Sequence, residues 1–175
     1  MTISFGTSGW RAKRSEFTEE KITAISAAIT EILDENSNII IGYDTRDKSE
    51  RIATQLANYL SDTTQVEISD RPVPTPAIAW YAADNQYVNL AISATASHNP
   101  PEYNGIKILE NNGADASEEL TTQIEEYAKT HLESENNNPS AESEPETKCF
   151  VDEYKNYLHE QFHDRINENH TVLYD

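Results

Sequence analysis

The chain contains a single cysteine, Cys149, and its 13 basic residues are far outnumbered by 31 acidic residues. One cysteine rules out an intramolecular disulfide and a zinc site built from several thiols, so we expect a protein of the reducing cytoplasm. No apolar run reaches the roughly 18 residues of a membrane span. The formal net charge of -18 repels phosphate backbones and anionic bilayers, which disfavours nucleic acid and membranes as partners.

The length and the hydrophobic content together predict one domain with a modest core. The chain has 175 residues, of which 37% are hydrophobic and five are glycine; the average globular chain is roughly 45–50% apolar. Residues 133–147 are rich in Asn, Ser, Glu and Pro, a composition that predicts a polar linker or exposed loop. We therefore expect the core at 1–132, and a terminal helix followed by the start of a further domain at 148–175.

Strand-like and helical patterns alternate along the chain. The run Asn38–Asp44 is β-branched without polar alternation, as in a strand buried on both faces, whereas Ile22, Ile25 and Ile29 lie on one helical face behind a Thr18 N-cap. The predicted helices are 18–33, 49–60, 76–83, 117–132 and 150–162, and the predicted strands are 38–44, 66–69, 88–93, 105–109 and 171–175. This order predicts an α/β fold with a largely parallel sheet and helices on both faces.

Two basic segments near the N-terminus contain glycine and hydroxyl residues. They are Gly6–Arg14 and Asp44–Lys48. Backbone amides, hydroxyls and a guanidinium all donate hydrogen bonds to a compact anion, so these segments suit a phosphate ligand. An N-terminal loop with a locally paired arginine is the alternative for the first segment.

The segment Thr95–Lys107 follows a predicted parallel strand, at the sheet edge where ligands bind in open α/β folds. Ser97 offers a hydroxyl that can be phosphorylated, and His98 and Lys107 can exchange protons. A serine hydrolase is disfavoured, because the segment lacks a nucleophile elbow and a neighbouring histidine is poorly placed as the base. A capped turn without catalytic function is the alternative.

Four motifs resemble the N-terminal domain of the α-D-phosphohexomutases, the phosphoglucomutase/phosphomannomutase superfamily. They are FGTSGWR at 5–11, GYDTR at 42–46, PTPA at 74–77 and TASHNPPEYNGIK at 95–107. The resemblance covers roughly residues 3–175, which corresponds to the first of the family's four domains. It implies a three-layer α/β/α fold with a mixed, largely parallel sheet.

The resemblance also implies roles for individual residues. Ser97 would carry the phosphoryl group in the resting enzyme, with His98, Lys107 and Arg11 as further catalytic residues. The residues expected to bind substrate are Thr7, Ser8, Arg11, Arg46 and Asn99. For Thr7, Ser8 and Arg46, support of the serine loop, defined as residues 95–107 around Ser97, is an equal alternative. Asn99, Asn104 and Gly105 match the framework of that loop.

The cofactors implied by the resemblance are Mg²⁺ and, as activator, hexose 1,6-bisphosphate. Phosphorylated Ser97 would supply one Mg²⁺ ligand, and a DxDxDR-type loop, which does not occur in this sequence, would supply the others from a second domain. Asp44 is expected to form a salt bridge with the nearby Arg46 rather than to replace that loop, because Mg²⁺ needs several oxygens.

Two functional hypotheses follow. In the first, the chain is the phosphoserine domain of a phosphohexomutase that interconverts hexose 1-phosphate and hexose 6-phosphate. Its partners are then the hexose phosphate and the remaining mutase domains, and the chain alone is expected to be inactive. In the second, it is a stand-alone, non-enzymatic module that binds a phosphosugar or a protein partner.

Overall fold

A seven-stranded sheet is the centre of the part of the chain that the structure describes. The computed structural model describes residues 3–6, 9–134 and 143–163. The strands are β1 (Phe5–Gly6), β2 (Gly9–Lys13), β3 (Asn38–Tyr43), β4 (Gln65–Ser69), β5 (Val88–Ala94), β6 (Tyr103–Glu110) and β7 (Glu146–Lys148). Their order across the sheet is β1-β2-β6-β5-β3-β4-β7.

Five helices in the described residues cover both faces of this sheet. They are α1 (Glu19–Ile32), α2 (Ser49–Leu60), α3 (Thr75–Asp84), α4 (Glu118–Glu133) and α5 (Phe150–Phe162). Helix α1 packs between α2 and α4 on one face, and α3 and α5 pack together on the other. The predicted three-layer α/β/α fold is therefore confirmed.

The sheet is mixed, with parallel and antiparallel halves. Strands β5, β3, β4 and β7 pair in parallel, whereas β1, β2, β6 and β5 pair antiparallel. The connection from β5 to β6, which carries the serine loop, is too short for a parallel crossover, so these strands must run antiparallel. Strand β6 begins at Tyr103, two residues earlier than predicted.

The unbroken apolar run of β3 is explained by burial on both faces. Ile39 and Ile41 belong to the core beneath α1, α2 and α4, while Ile40 belongs to the second core beneath α3 and α5. All three side chains are fully buried. Successive strand side chains point to opposite faces, so a strand covered on both sides needs apolar residues at every position.

The predicted start of α1 is confirmed by its capping contact. The Thr18 hydroxyl accepts a hydrogen bond from the Lys21 amide at 3.4 Å, and Glu19 and Glu20 lie in the first turn. These acidic side chains favour the positive end of the helix dipole. Ile22, Ile25 and Ile29, spaced for one face, are all buried.

The N-terminal loop considered as the alternative for the first basic segment is wrong for residues 9–13, which form strand β2 between β1 and β6. Trp10 and Ala12 are buried in the core, whereas Arg11 between them is only half-buried. This alternation has the two-residue period of a strand. The glycine and hydroxyl residues in and before this strand are typical of a turn, which is why the strand was not predicted.

The predicted polar linker is wrong at Glu146 and Thr147, which pair with β4 in the edge strand β7. Lys148 anchors this strand, since its ammonium lies 3.7 Å from a Glu67 carboxylate oxygen and 5.3 Å from the centre of the Tyr81 ring. Main-chain pairing at a sheet edge requires no apolar side chains, so the polar composition did not reveal it. Residues 135–142 of that segment lie outside the described residues.

Tyr87 completes the contacts beneath β7. Its hydroxyl lies 2.6 Å from the Tyr81 hydroxyl and donates to Glu67 at 2.9 Å. Partial desolvation of the phenol, and then its hydrogen bonds with Tyr81 and Glu67, raise the pKa of Tyr87. The phenol therefore keeps its proton at neutral pH and remains a donor to Glu67.

Helix α5 confirms the predicted final helix, although only its first residue, Phe150, is fully buried. Phe162 at its other end is 40% exposed. The strand predicted at 171–175 lies outside the described residues. Within the described part of the chain, no helix is both long and apolar enough to cross a membrane.

Candidate active site

Ser97 occupies a tight turn directly beyond the carboxyl end of β5. Its backbone has a φ of 56°, in the left-handed region that non-glycine residues rarely adopt. The Ser97 amide donates to the Thr95 hydroxyl at 2.9 Å, and the Asn99 amide donates to the Ala96 carbonyl at 3.1 Å. Thr95 and Ala96 are buried while Ser97 is exposed, so the turn presents the serine hydroxyl to solvent.

His98 lies beside this hydroxyl. Its Nδ1 atom is 3.4 Å from the Ser97 Oγ, which is longer than a good hydrogen bond of this type. Both side chains are exposed, so a proton can reach either group from solvent. The proposed proton transfer by His98 stays a prediction.

Arg46 lies under the serine loop and faces its main chain. The guanidinium donates to four carbonyl oxygens of the loop, and its Nε atom forms an ion pair with Asp44 at 3.3 Å. The predicted Asp44–Arg46 salt bridge is therefore confirmed. Of the two roles left open for Arg46, these contacts favour support of the serine loop over substrate contact.

Arg11 on β2 and Lys107 on β6 lie on one face of the sheet, and β6 pairs with β5, the strand that leads to Ser97. In the antiparallel register Arg11 is opposite Gly105, and Lys107 is opposite Ser93. The Arg11 Nε is the one buried side-chain nitrogen or oxygen without a hydrogen-bond partner among the described residues. Such an atom is costly unless something pairs with it, and the described residues supply no such partner.

Lys107 has a partner that the sequence did not indicate. Its ammonium lies 2.7 Å from an Asp115 carboxylate oxygen, in the segment before α4. The lysine side chain is 20% exposed and that of Asp115 is 45% exposed. The Asp115 carboxylate offsets part of the attraction that Lys107 exerts on an approaching anion.

The remaining predicted substrate contacts are less well defined. The Asn99 carbonyl accepts a hydrogen bond from Arg46, which fits its expected place in the loop framework; substrate binding by Asn99 stays a prediction. Thr7 and Ser8 lie outside the described residues. Asn104 and Gly105, also expected in the framework, belong to β6.

Sequence reasoning missed three residues of this site: Thr95, Ser49 and Asp115. Thr95 binds the Ser97 amide, Ser49 contacts Asp44 at 2.5 Å, and Asp115 pairs with Lys107. Thr95 lies two residues before Ser97 in the same motif, and a threonine at this spacing can form an ST-turn, so the sequence did contain a signal for this contact. No local pattern marks Ser49 or Asp115 as partners of distant residues.

A Gly105→Ala substitution should destabilise the sheet beside the serine loop. A Cβ atom at Gly105 would lie 2.4 Å from the Thr95 carbonyl oxygen and 3.2 Å from the Arg11 Cγ. Relieving such an overlap costs about 1–3 kcal/mol of unfolding free energy, which urea denaturation would measure. Gly6→Ala is the control, because its Cβ would meet nothing closer than 3.9 Å. Equal stability of the two variants would contradict the close approach at Gly105.

The described residues cannot form a complete Mg²⁺ site, but they fit the expectation that this chain supplies one ligand and further domains supply the others. They contain no group of three or more His, Cys, Asp or Glu side chains placed to hold a metal ion. The nearby Asp44 carboxylate already contacts Arg46 and Ser49. Among the described residues, an oxygen on the exposed Ser97 is the ligand proposed for the ion.

Comparisons with known proteins point to one family. A family model described as "Phosphoglucomutase/phosphomannomutase, alpha/beta/alpha domain I" matches residues 2–135. The chain is 30% identical over 183 residues to the phosphoglucosamine mutase of Dictyoglomus turgidum, covering 100% of this chain and 40% of that relative. It is 38% identical over 127 residues to the phosphoglucomutase/phosphomannomutase of Thermococcus kodakarensis, covering 70% of this chain and 28% of the relative.

The fold has solved counterparts as well. The crystal structure of a candidate phosphomannomutase from Thermus thermophilus matches with a TM-score of 0.78 and 26% identity, over 92% of this chain and 36% of that one. The chain thus spans less than half the length of each of these three similar proteins.

Proposed function

Because the chain belongs to the phosphoglucomutase/phosphomannomutase family, whose domain I model it matches over residues 2–135, we propose that it is the phosphoserine domain of a phosphohexomutase. The observation that carries this proposal is the exposed Ser97 hydroxyl, presented on a left-handed turn at the carboxyl edge of the sheet. A backbone held in an unfavourable conformation at such a position is typical of a reacting group.

The proposed reaction passes one phosphoryl group between Ser97 and a hexose phosphate. A free sugar hydroxyl attacks the phosphorus of phosphorylated Ser97; the new O–P bond forms as the Oγ–P bond breaks, and the hydroxyl proton is transferred to the serine oxygen. The Ser97 oxygen then attacks the other phosphoryl group of the bound hexose 1,6-bisphosphate; the Oγ–P bond forms as the sugar O–P bond breaks, and the serine proton passes to the sugar oxygen. The net result is interconversion of hexose 1-phosphate and hexose 6-phosphate.

The chain's own contribution is positioning and positive charge, which are what phosphoryl transfer chiefly requires. The unpaired Nε–H of Arg11 is a donor for an equatorial phosphoryl oxygen, and Lys107 adds a second cation on the same face of the sheet. His98, 3.4 Å from Oγ, is the neighbouring group able to accept or supply the hydroxyl proton.

One Mg²⁺ ligand would come from this chain, an oxygen of phosphorylated Ser97, and the others from the remaining mutase domains. Bound there, the ion would neutralise charge on the transferred group. The sugar substrate is proposed only as a hexose phosphate, since the named relatives are a phosphoglucosamine mutase and a phosphoglucomutase/phosphomannomutase.

A return-transfer experiment tests this proposal on the chain alone. The protein is first phosphorylated with hexose 1,6-bisphosphate, freed of small molecules, and mixed with glucose 1-phosphate. We expect the phosphoryl group to move to the sugar faster than to water, although without continuous mutase turnover. Formation of the sugar bisphosphate is followed by ³¹P NMR and loss of phosphate from the protein by intact mass.

The same experiment separates the alternatives. Release of inorganic phosphate alone, at a rate independent of the sugar phosphate, would contradict a mutase domain. A protein that binds the sugar phosphate but neither takes up nor returns a phosphoryl group would instead be a non-enzymatic binding module. Glucose without phosphate is the control for nonspecific acceptance of the group.

A further inference from the structure

The carbonyl groups of the serine loop converge on a single side chain. Arg46 Nη2 donates to the carbonyl oxygens of Ser97 at 2.7 Å and Asn99 at 2.6 Å. Its Nη1 donates to those of Pro100 at 2.9 Å and Tyr103 at 3.3 Å. Both Nη groups thus donate to two carbonyl oxygens each, and Nε lies 3.3 Å from an Asp44 carboxylate oxygen in an ion pair.

Arg46 is itself held by Asp44 at the end of β3. One carboxylate oxygen of Asp44 accepts from the Arg46 amide at 3.0 Å and lies 2.5 Å from the Ser49 hydroxyl. The other oxygen forms the ion pair with Nε. Asp44 is therefore held through one oxygen by the Arg46 backbone and Ser49, and contacts the guanidinium through the other.

Two fully buried residues connect this pair to the rest of the fold. Ser49, the first residue of α2, lies 3.0 Å from the Asn104 side-chain oxygen on β6, and the Asn104 side-chain amide donates to the Asp47 carbonyl at 2.8 Å. Ser49 and Asn104 are both 0% exposed. A chain of polar contacts thus ties the loop carrying Ser97 to β3, α2 and β6.

We propose that Arg46, locked by Asp44, is a positioning residue for Ser97: it holds four loop carbonyls and so maintains the left-handed turn that presents the nucleophilic hydroxyl. The inference rests on the proposed function of Ser97. Its physical basis is that a turn with unfavourable φ persists only where surrounding contacts determine it. A lysine cannot replace the arginine, because an ammonium has three donors and lacks the planar fork.

The test compares Arg46→Lys with Arg71→Lys in the full chain. Arg71 is a matched control, since it also pairs with an aspartate near it in sequence, Asp70, and has no contact with the serine loop. Amide hydrogen exchange is measured at Ser97, Asn99 and Tyr103, whose N–H groups are all hydrogen-bonded within the loop. Phosphorylation of Ser97 by a small acyl phosphate is measured as a function of donor concentration.

We expect Arg46→Lys to accelerate exchange at these three amides by tenfold or more while the central β3 amides stay protected. The maximal phosphorylation rate should fall by about 10²-fold, the cost typical of a small misplacement of reacting atoms, with little change in the half-saturating donor concentration. Arg71→Lys should match the wild type in both measurements. Asp44→Asn, which keeps the side-chain volume, should show a weaker form of the same pattern.

Three results would overturn the inference. A raised half-saturating concentration with unchanged exchange would make Arg46 a donor-binding residue. Equal loss of protection in β3 and in the loop would mean general destabilisation, and a loosened loop with an unchanged rate would remove any role in positioning. If wild-type Ser97 accepts no phosphoryl group, the proposed function fails, and the catalytic part of the inference fails with it. The hydrogen-exchange data still decide in that case whether Arg46 holds the loop.

Discussion

Replacing Ser97 with alanine should abolish phosphoryl incorporation from a small acyl phosphate or a hexose bisphosphate. In the wild type the serine oxygen forms a bond to phosphorus as the donor's O–P bond breaks, and the proton passes to a base or to solvent; alanine has no oxygen to take part. Peptide mapping after incubation should place the label of the wild type on Ser97 before any other serine. The variant should carry none at the same exposure.

Ser15→Ala is the matched control for this experiment. Ser15 is also exposed and lies next to a basic residue, Arg14, but it is outside the serine loop. If charge and exposure alone governed the reaction, the two serines would be labelled at similar rates. Label spread over several serines, or persisting in the Ser97→Ala protein, would mean that this chain does not assemble a selective site by itself.

Variants of Arg11 and Lys107, the two basic residues predicted to act on the phosphoryl group, extend the same measurement. Arg11→Met should slow labelling of Ser97 by about 10²-fold, the typical cost of one lost donor to a developing oxyanion. Lys107→Met should have a smaller effect, because Asp115 already shares the Lys107 charge. Unchanged rates in both variants would show that neither cation reaches the reacting group.

Replacing Phe150 with alanine should cost about 3–5 kcal/mol of unfolding free energy, the range for removing a fully buried phenylalanine. Its ring is 0% exposed and meets the Tyr81 ring edge-on, with centroids 4.8 Å apart. The cavity would weaken the attachment of α5 to α3. Denaturation in urea measures the free energy, and near-ultraviolet circular dichroism reports the stacking of Trp80 on Tyr157, whose ring centres are 4.7 Å apart.

Phe162→Ala provides the comparison on the same helix. Phe162 is 40% exposed, so its loss leaves no buried cavity and should cost much less unfolding free energy than the loss of Phe150. A Phe150→Ala protein as stable as the Phe162→Ala protein would contradict the packing of α5 against α3. It would also exclude α5 from the cooperative unit that contains the sheet.

Where local pattern and burial coincide, the sequence predicted the structure well. Helix α2 occupies Ser49–Leu60, the residues that its apolar spacing indicated, and β3 is buried on both faces as its unbroken apolar run implied. These patterns are reliable because each records how one short segment meets the core. The motif around Ser97 likewise identified the family, which the match over residues 2–135 confirms.

The amino-acid sequence by itself determined the α/β fold, the bounds of most elements and the position of the serine loop. Only the tertiary structure decided which side chains meet there: Arg46 and Ser97 are 51 residues apart in sequence, and nothing local pairs Lys107 with Asp115. The polar edge strand β7 was hidden for the same reason, since its partner β4 lies far away along the chain. Periodicity records whether a side chain is buried, whereas the choice of a polar partner depends on which distant segments the fold brings within hydrogen-bond distance.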